Sequence, residues 1–412
     1  MPFSFGIPQL LVATFGVVIG IIFGAIPGMT ATMAVATFLP LTYAYDIDVA
    51  MYLLLGLYVG GISGGLVPAI LINIPGTPSS LCTTFDGSPM ARRGESERAM
   101  KIGITSSFMG GLISLAVLAV FTPVLAGWAI KFSAVEKFLI ILFALTVIAA
   151  LSKGQMLEGI WIGLVGVLIA LMNQFSVNNA YRMVPSFLKS EMQQGFQLFP
   201  VLMGLFAISQ MLEECETGMH AKYGKDDSRG VTNAVAFNFR RDFKGQGVNV
   251  IRSALIGTLM GILPGVGGSA ASVLAYSQAK SWSKHPELLG TGAVEGLVAS
   301  ETSNNGLTGG ALVPLLSLGI PGDSTTAVLI GAFMLQGVQV GPLFITNHPY
   351  TWNTILVALL VCNILMFVIM FFPIKLLAKI ILIPQERLYP VVLMMCTVGA
   401  YATLNGRMFD VW

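Results

Sequence analysis

Charge is what this sequence has least of. Only 10% of its 412 residues are Asp, Glu, Lys or Arg, against about 25% in soluble domains. With 55% hydrophobic residues and a mean hydropathy of +0.80, a water-soluble fold is excluded. The formal net charge of +2 offers no basic field for nucleic acid. The 3 histidines, His220, His285 and His348, all fall in polar stretches, so an intramembrane serine hydrolase would lack its base. The 4 cysteines, Cys82, Cys215, Cys362 and Cys396, form neither a CxxC pair nor a metal-ligand spacing. No GxxxxGK[ST] phosphate loop occurs, and the GVGGSA at 265–270 follows a proline-broken apolar run instead of a strand, which argues against a nucleotide site. These absences predict a chain that is not an enzyme and needs no cofactor. The first ten residues also lack the basic and small-residue signals of a cleaved leader, so the first apolar segment is expected to be retained.

Long apolar runs are abundant. Residues 103–130, 138–151, 160–172 and 352–373 are examples, and a bilayer core of about 30 Å needs about 20 residues of helix. The expected fold is an all-α integral membrane protein with about 10–12 hydrophobic segments.

Two motifs occur twice, in the same order. GIIFGAIPG (20–28) matches GTLMGILPG (257–265), and VPAILINIPG (67–76) matches VPLLSLGIPG (313–322). Each is trailed by small or hydroxyl residues, among them Thr30, Thr32, Gly267, Gly268 and Ser269 after the first pair. This divides the chain into a first membrane repeat with additional spans (1–212), a polar cytoplasmic linker (213–247) and a second membrane repeat (248–412). The loop after the first break holds Asp46 and Asp48 in one copy, but Lys280, Lys284 and His285 in the other. After the second break the bias reverses, with Arg92, Arg93, Arg98 and Lys101 against no Lys or Arg over 331–350. Under the positive-inside rule the two repeats are then inverted, a pattern common in secondary transporters. Spans near 103–130, 138–151, 158–172 and 197–212 return the chain to the linker side, so 6–40 must cross twice or dip in and turn at Pro27-Gly28.

A single Pro-Gly in a membrane helix is commonly a kink, but four at matched positions call for a joint role. Proline removes an amide donor, and glycine permits the left-handed backbone. The groups so freed must be buried in protein or face a water-filled cavity. Broken half-helices point partly positive N-termini at an anion, while exposed carbonyls can hold a cation. The helix breaks are Pro27, Gly28, Pro75, Pro264, Gly265, Gly267, Gly268 and Pro321. Candidate substrate-binding residues are Asn73, Gly76, Thr77, Pro78, Ser79, Ser80 and Thr83 in one repeat, and Gly322, Ser324, Thr325 and Thr326 in the other. Asp323 is a candidate for ion coupling because intramembrane carboxylates are costly, its bland alternative being a helix N-cap. Asn304 and Asn305 join it as amide ligands, with packing or turn formation as their bland alternative. Asp86, Glu295 and Glu301 are weaker candidates, expected near the membrane surface. Paired glycines such as Gly60-Gly61, Gly64-Gly65 and Gly309-Gly310 are expected to serve close helix packing.

The strings GAIPGMTATMAVATFLPLTY, GLYVGGISGGLVPAILINIPGTPSSLCTTFDGSPMARRGE, GILPGVGGSAASVLAYSQAKSWSK and EGLVASETSNNGLTGGALVPLLSLGIPGDSTTAVLIGA resemble the large membrane subunit of tripartite tricarboxylate transporters, the TctA family. The resemblance implies a bacterial inner-membrane carrier that takes a di- or tricarboxylate from a periplasmic solute-binding protein. It implies a small membrane subunit as partner and uptake driven by a Na+ or proton gradient, with no metal beyond such a Na+; a homodimer is left open. Relatives continue past the stretch resembling 405–412, so the chain is expected to be C-terminally short, and a non-transporting docking module is the alternative. The site is expected between the second breaks, near 73–80 and 319–326, completed by the first breaks and Asn304-Asn305.

Overall fold

The computed structural model describes residues 3, 5–150, 156–172, 183–188, 192, 195–216, 231–380, 385–403 and 407–411. The middle of the expected linker, with Lys222, Lys225 and Arg229, lies outside the described residues. Among the described residues every regular element is helical, which makes this an all-α membrane fold. The first copy of the motifs runs through α1 (Ile7–Ala25), α2 (Ala31–Phe38), α3 (Ile47–Gly64), α4 (Leu66–Leu71) and α5 (Leu81–Arg92). After it come α6 (Ser96–Ala129), α7 (Ala134–Ala150), α8 (Met156–Leu171), α9 (Leu198–Leu202), α10 (Ser209–Glu216) and α11 (Phe239–Asp242). The second copy runs through α12 (Gly247–Ile262), α13 (Gly267–Trp282), α14 (Val294–Leu318) and α15 (Ser324–Leu335). The chain ends with α16 (Phe344–Asn347), α17 (Pro349–Phe371), α18 (Ile374–Ile380) and α19 (Gln385–Thr403).

Among the described residues, four helices are long and apolar enough to cross a membrane: α1, α3 continued through α4, α6 and α17. The expected runs at 103–130, 138–151, 160–172 and 352–373 fall on α6, α7, α8 and α17. The run at 197–212 is less regular. Between α9 and α10 the chain takes a π-helical turn over Met203–Ile208, a form that is rare and concentrated at functional sites.

The glycine spacing of the first motif sets how closely the helices approach. A Cβ on Gly20 would lie 2.5 Å from the Leu57 carbonyl oxygen, and one on Gly24 would lie 2.1 Å from that of Gly61. In the second copy, Gly257 would meet the Ser303 carbonyl at 2.1 Å and Gly261 that of Leu307 at 2.7 Å. Both GxxxG stripes therefore buy backbone-to-backbone contact, of α1 with α3 and of α12 with α14. The two copies also exchange partners. α6 packs along α14 and α12, while α17 packs along α3 and α1.

α14 is the central element. Residues from Gly296 to Ser317 are buried throughout, Glu301, Asn304 and Asn305 included. So many polar side chains at membrane depth are tolerable only inside a protein wrapping, and α5, α6, α12 and α13 supply it.

Two sets of loop contacts position the ends. The Gln336 amide donates to the carbonyls of Thr42 at 2.9 Å and Tyr45 at 3.1 Å, joining the stretch after α15 to the loop before α3. Elsewhere, Arg93 donates to the carbonyls of Thr291 and Gly292 at 3.0 and 2.9 Å. Next to it the Ala234 amide donates to the Gly94 carbonyl at 2.9 Å, and Arg98 forms an ion pair with Asp242 at 2.9 Å. The arginine-bearing loop after α5 thus meets both the described end of the linker and the loop between α13 and α14.

Candidate functional site

Each first break is a tight turn that needs glycine. Gly28 and Gly265 have φ of 84° and 78°, a left-handed backbone that costs other L-residues steric energy. The preceding prolines, Pro27 and Pro264, have no amide to continue the helix. Beyond the turn, Thr30 caps α2 by accepting from the Met33 amide at 3.1 Å. α13 has no such side-chain cap, so its first turn leaves amide donors free.

Each second break ends a helix in the left-handed conformation and then doubles back. The residue that does this is Asn73 in one copy, with φ 59°, and Gly319 in the other, with φ 74°. Helix-ending bonds follow in both, from the Ile74 amide to the Pro68 carbonyl at 3.4 Å and from Ile320 to Pro314 at 3.3 Å, the long bond of a Schellman-type end. The extended Ile-Pro-Gly then returns to the level of an earlier turn. A Cβ on Gly76 would lie 2.8 Å from the Gly65 Cα and 2.3 Å from the Gly24 carbonyl oxygen. One on Gly322 would lie 2.6 Å from the Ala311 Cα and 2.2 Å from the Gly261 carbonyl oxygen. Pro75 and Pro321 fix φ in these returning segments and bring no amide donor.

All four breaks open on one cavity of about 540 Å³, within the usual range of small-molecule sites. Its wall includes Thr30 and Thr32 after the first break, Thr77, Pro78 and Ser79 after the second, Gly265, Gly267, Gly268 and Ser269 at the third, and Pro321, Asp323, Ser324 and Thr325 at the fourth. The breaks meet crosswise. The Thr32 hydroxyl lies 2.9 Å from that of Ser324 and 2.8 Å from that of Thr325, joining the first break of one copy to the second break of the other. Reciprocally, a Cβ on Gly268 would lie 2.5 Å from the Ser79 Cβ.

Chemically this is a donor-rich cavity with no basic side chain on its described wall. None of the described lining residues is Lys or Arg, and Asp323 is the one acidic residue among them. The N-terminal turns of α2, α13 and α15 and the turn leading into α5 all face it, which favours an anion.

Asp323 is also the N-cap of its helix. Oδ1 accepts from the Thr326 amide at 2.7 Å and from its hydroxyl at 2.7 Å, and Tyr58 of α3 donates to Oδ2 at 2.7 Å. Both oxygens are therefore committed, and the bond from Tyr58 ties one motif copy to the other.

The remaining predicted residues lie around the cavity. Asn73 is exposed and serves the helix end, while Gly76 and Gly322 are wedged between backbones. Ser80 closes the turn by donating to the Thr77 carbonyl at 2.8 Å, and Thr326 answers the Asp323 cap. Thr83 points away, donating to Glu301. Asn305 accepts from Ser63 at 2.8 Å. Asn304 lies behind Gly268, 3.6 Å from where its Cβ would be, with Oδ1 buried and unpartnered.

Of the carboxylates expected near the membrane surface, Asp86 and Glu301 are fully buried within the protein, whereas Glu295 is partly exposed and accepts from Ser283 at 2.6 Å. Sequence reasoning missed Leu205, Phe206, Ser209 and Gln210, which close one side of the cavity. They come from the π-helical turn and the start of α10, and a single π-turn has no composition that would mark it.

The chain matches the tripartite tricarboxylate transporter TctA family over residues 10–412. It is 33% identical over 397 residues to an uncharacterized 52.8 kDa protein in the TAR-I ttuC′ 3′ region of Agrobacterium vitis, covering 96% of this chain and 78% of that protein. A second protein, in the TAR-II ttuC′ 3′ region of Agrobacterium vitis, is 37% identical over 156 residues, 38% of this chain and 64% of that protein. No solved structure matches the chain. With long apolar helices and a match across nearly its whole length, this multi-pass membrane protein belongs to the tripartite tricarboxylate transporter TctA family.

Proposed function

We propose that this chain is the carrier subunit of a secondary active transporter that imports a di- or tricarboxylate across the bacterial inner membrane. The observation that carries the reading is the cavity walled by all four breaks. It collects helix N-terminal turns and hydroxyls of Thr32, Thr77, Ser79, Ser324 and Thr325, and no described Lys or Arg. Carboxylates would accept from the open first turn of α13, at Gly267, Gly268 and Ser269, and from the hydroxyls opposite. Family membership supports partnership with a small membrane subunit and a periplasmic solute-binding protein. With so little fixed positive charge, uptake needs a co-transported cation, Na+ or a proton, to offset the anion.

The two motif copies are proposed to be inverted repeats. Two contacts support this: the loop before α3 meets the stretch after α15, and the loop after α5 meets the loop before α14. The start of each broken helix thus lies beside the end of the other repeat, as antiparallel copies require.

The test is uptake in proteoliposomes holding the whole complex, with binding protein outside, across a panel of labelled di- and tricarboxylates. Wild type should accumulate at least one of them under an imposed Na+ or proton gradient. Thr325→Ala and Asp323→Asn should each reduce uptake at least tenfold. Equal uptake with and without gradients would remove the coupling, and unchanged uptake in both variants would remove the site.

A further inference from the structure

Glu301 is the buried carboxylate for which the cavity has no use. It sits on α14 with no exposure, away from the cavity wall. One oxygen accepts from Thr83 of α5 and the other from Ser107 of α6 at 2.8 Å. None of the ion pairs among the described residues includes it. Titratable groups on the elements around it are engaged elsewhere. On α5 and α13, Asp86 and Tyr276 bond each other at 2.8 Å, and on α3 Tyr58 holds Asp323. On α6, Arg98 pairs with Glu95 and Asp242 and Lys101 with Glu97. On α12, Arg252 donates to Asn249 and lies over the Trp282 ring, and Cys82 of α5 is a buried thiol.

An ionised carboxylate with only neutral donors around it is expensive to bury, and the interior answers by supplying a neutralising cation or proton. A proton fits what surrounds Glu301. Thr83 and Ser107 are hydroxyls, each able to donate to a carboxylate and, after rotating, to accept from a carboxylic acid. Either state can be met by rotation of a hydroxyl. A metal cation would instead need several oxygens converging on one point, whereas the hydroxyls of Thr83 and Ser107 meet different oxygens of the carboxylate.

We propose that Glu301 is the proton-binding site through which this carrier is coupled to the proton gradient, an inference that rests on the transport reading above. The proton is taken from water on one side of the membrane and released to water on the other. Glu301 neither lines nor touches the substrate site, so its influence passes through the joints it makes. Thr83 lies on α5, the helix that begins at Pro78 and Ser79 on the cavity wall. Asn304, one turn along α14 from Glu301, backs onto Gly268 with Oδ1 unpartnered. Protonation replaces two bonds to a carboxylate by weaker bonds to a neutral acid. It thereby loosens α5 and α6 from α14 at the point where the two motif copies meet.

Infrared difference spectroscopy of the full-length protein in lipid, between acid and alkaline buffer, tests this without any substrate. Wild type should give a carbonyl band of a buried carboxylic acid that is lost in Glu301→Gln and retained in Glu287→Gln, a variant of an exposed loop. Ser107→Ala should shift the band without removing it, which guards against a misfolded Glu301→Gln. In proteoliposomes with the partner subunits, Glu301→Gln should keep equilibrium exchange of a transported carboxylate and lose at least tenfold of its accumulation under a pH gradient. A band that persists in Glu301→Gln, or one that responds to added Na+ at constant pH, overturns the proposal. If the band behaves as expected but wild type moves no carboxylate, the transport reading fails and the protonation site stands.

Discussion

At the scale of single residues, the glycines of the second breaks make the sharpest demands. Adding a methyl group at Gly76 or Gly322 drives it to 2.3 or 2.2 Å from a backbone carbonyl oxygen, and backbone cannot step aside as a flexible side chain can. Overpacking of this kind costs about 1–3 kcal/mol. Gly322→Ala and Gly76→Ala should each lower the thermal midpoint of the detergent-solubilised protein by several degrees, read by intrinsic fluorescence. Gly337 has φ 70° with no neighbouring atom within 4 Å, so Gly337→Asn should change the midpoint much less. Asp86 carries a different load. Its Oδ1 accepts from the amides of Gly290, Gly292 and Ala293 at 2.9, 2.8 and 2.7 Å, and its Oδ2 from Tyr276 at 2.8 Å. Charge-assisted bonds contribute about 1.5–3 kcal/mol each and are not additive. Asp86→Ala should cost more than either glycine variant, measured the same way, because it releases the loop before α14 from α5.

At the scale of elements, the described end of the linker is held to the membrane part by a small ion-pair cluster. Burial alone would raise the Asp242 carboxyl, but donation from Arg241, Arg98 and the Asn238 amide outweighs it and holds the group down at about 2. A carboxylate with a depressed folded value stabilises the fold above its ordinary value of 3.8, and the contribution fades as pH falls through about 2. The size is about 2 kcal/mol. Wild type should therefore lose protection of the linker from limited proteolysis as pH is lowered from about 4 towards 2, read with an acid-active protease. In Asp242→Asn the protection should already be reduced at neutral pH, with little further change on acidification.

The same scale separates what the sequence could reveal from what it could not. Pro27-Gly28 and its three counterparts were legible because a missing amide and a left-handed turn are local facts, set by residues that touch in sequence. The αL position of Asn73 was not separated from a ligand role, because an exposed Asn at a helix end and an Asn in a site look alike in one dimension. The burial of Glu301 within the protein was not legible for the opposite reason. Its flanking Ser, Thr and Asn residues resemble a surface segment, and only the packing of α5, α6, α12 and α13 around α14 makes that polarity internal. Thr83 and Ser107 reach it from 218 and 194 residues away, and no spacing rule spans such distances.

At the scale of the whole molecule, the crosswise meeting of the breaks makes the site a joint product of both motif copies. If alternating access separates them, a covalent link should stop transport. In a Cys215→Ser background, which removes the exposed native thiol, the pair Thr32→Cys with Ser324→Cys replaces hydroxyls 2.9 Å apart. Mild oxidation should form a disulfide that abolishes uptake by the reconstituted complex, and reductant should restore it. Each single-cysteine variant should be indifferent to oxidant. Uptake that continues after complete crosslinking would mean that α2 and α15 move together as one body.

The lining of the cavity also bears on the step a carrier makes with nothing aboard. A site built on lysines or arginines would have to take bare cations through hydrocarbon-depth surroundings on every unloaded return, at several kcal/mol for each. Here attraction for an anion comes from the ends of α2, α13 and α15 and from hydroxyls. Their dipoles carry no net charge, and the one carboxylate on the wall already has its donors. In the proposed carrier the wall therefore brings no bare cation to the unloaded return, and the charge left to accommodate is that of the deprotonated Glu301.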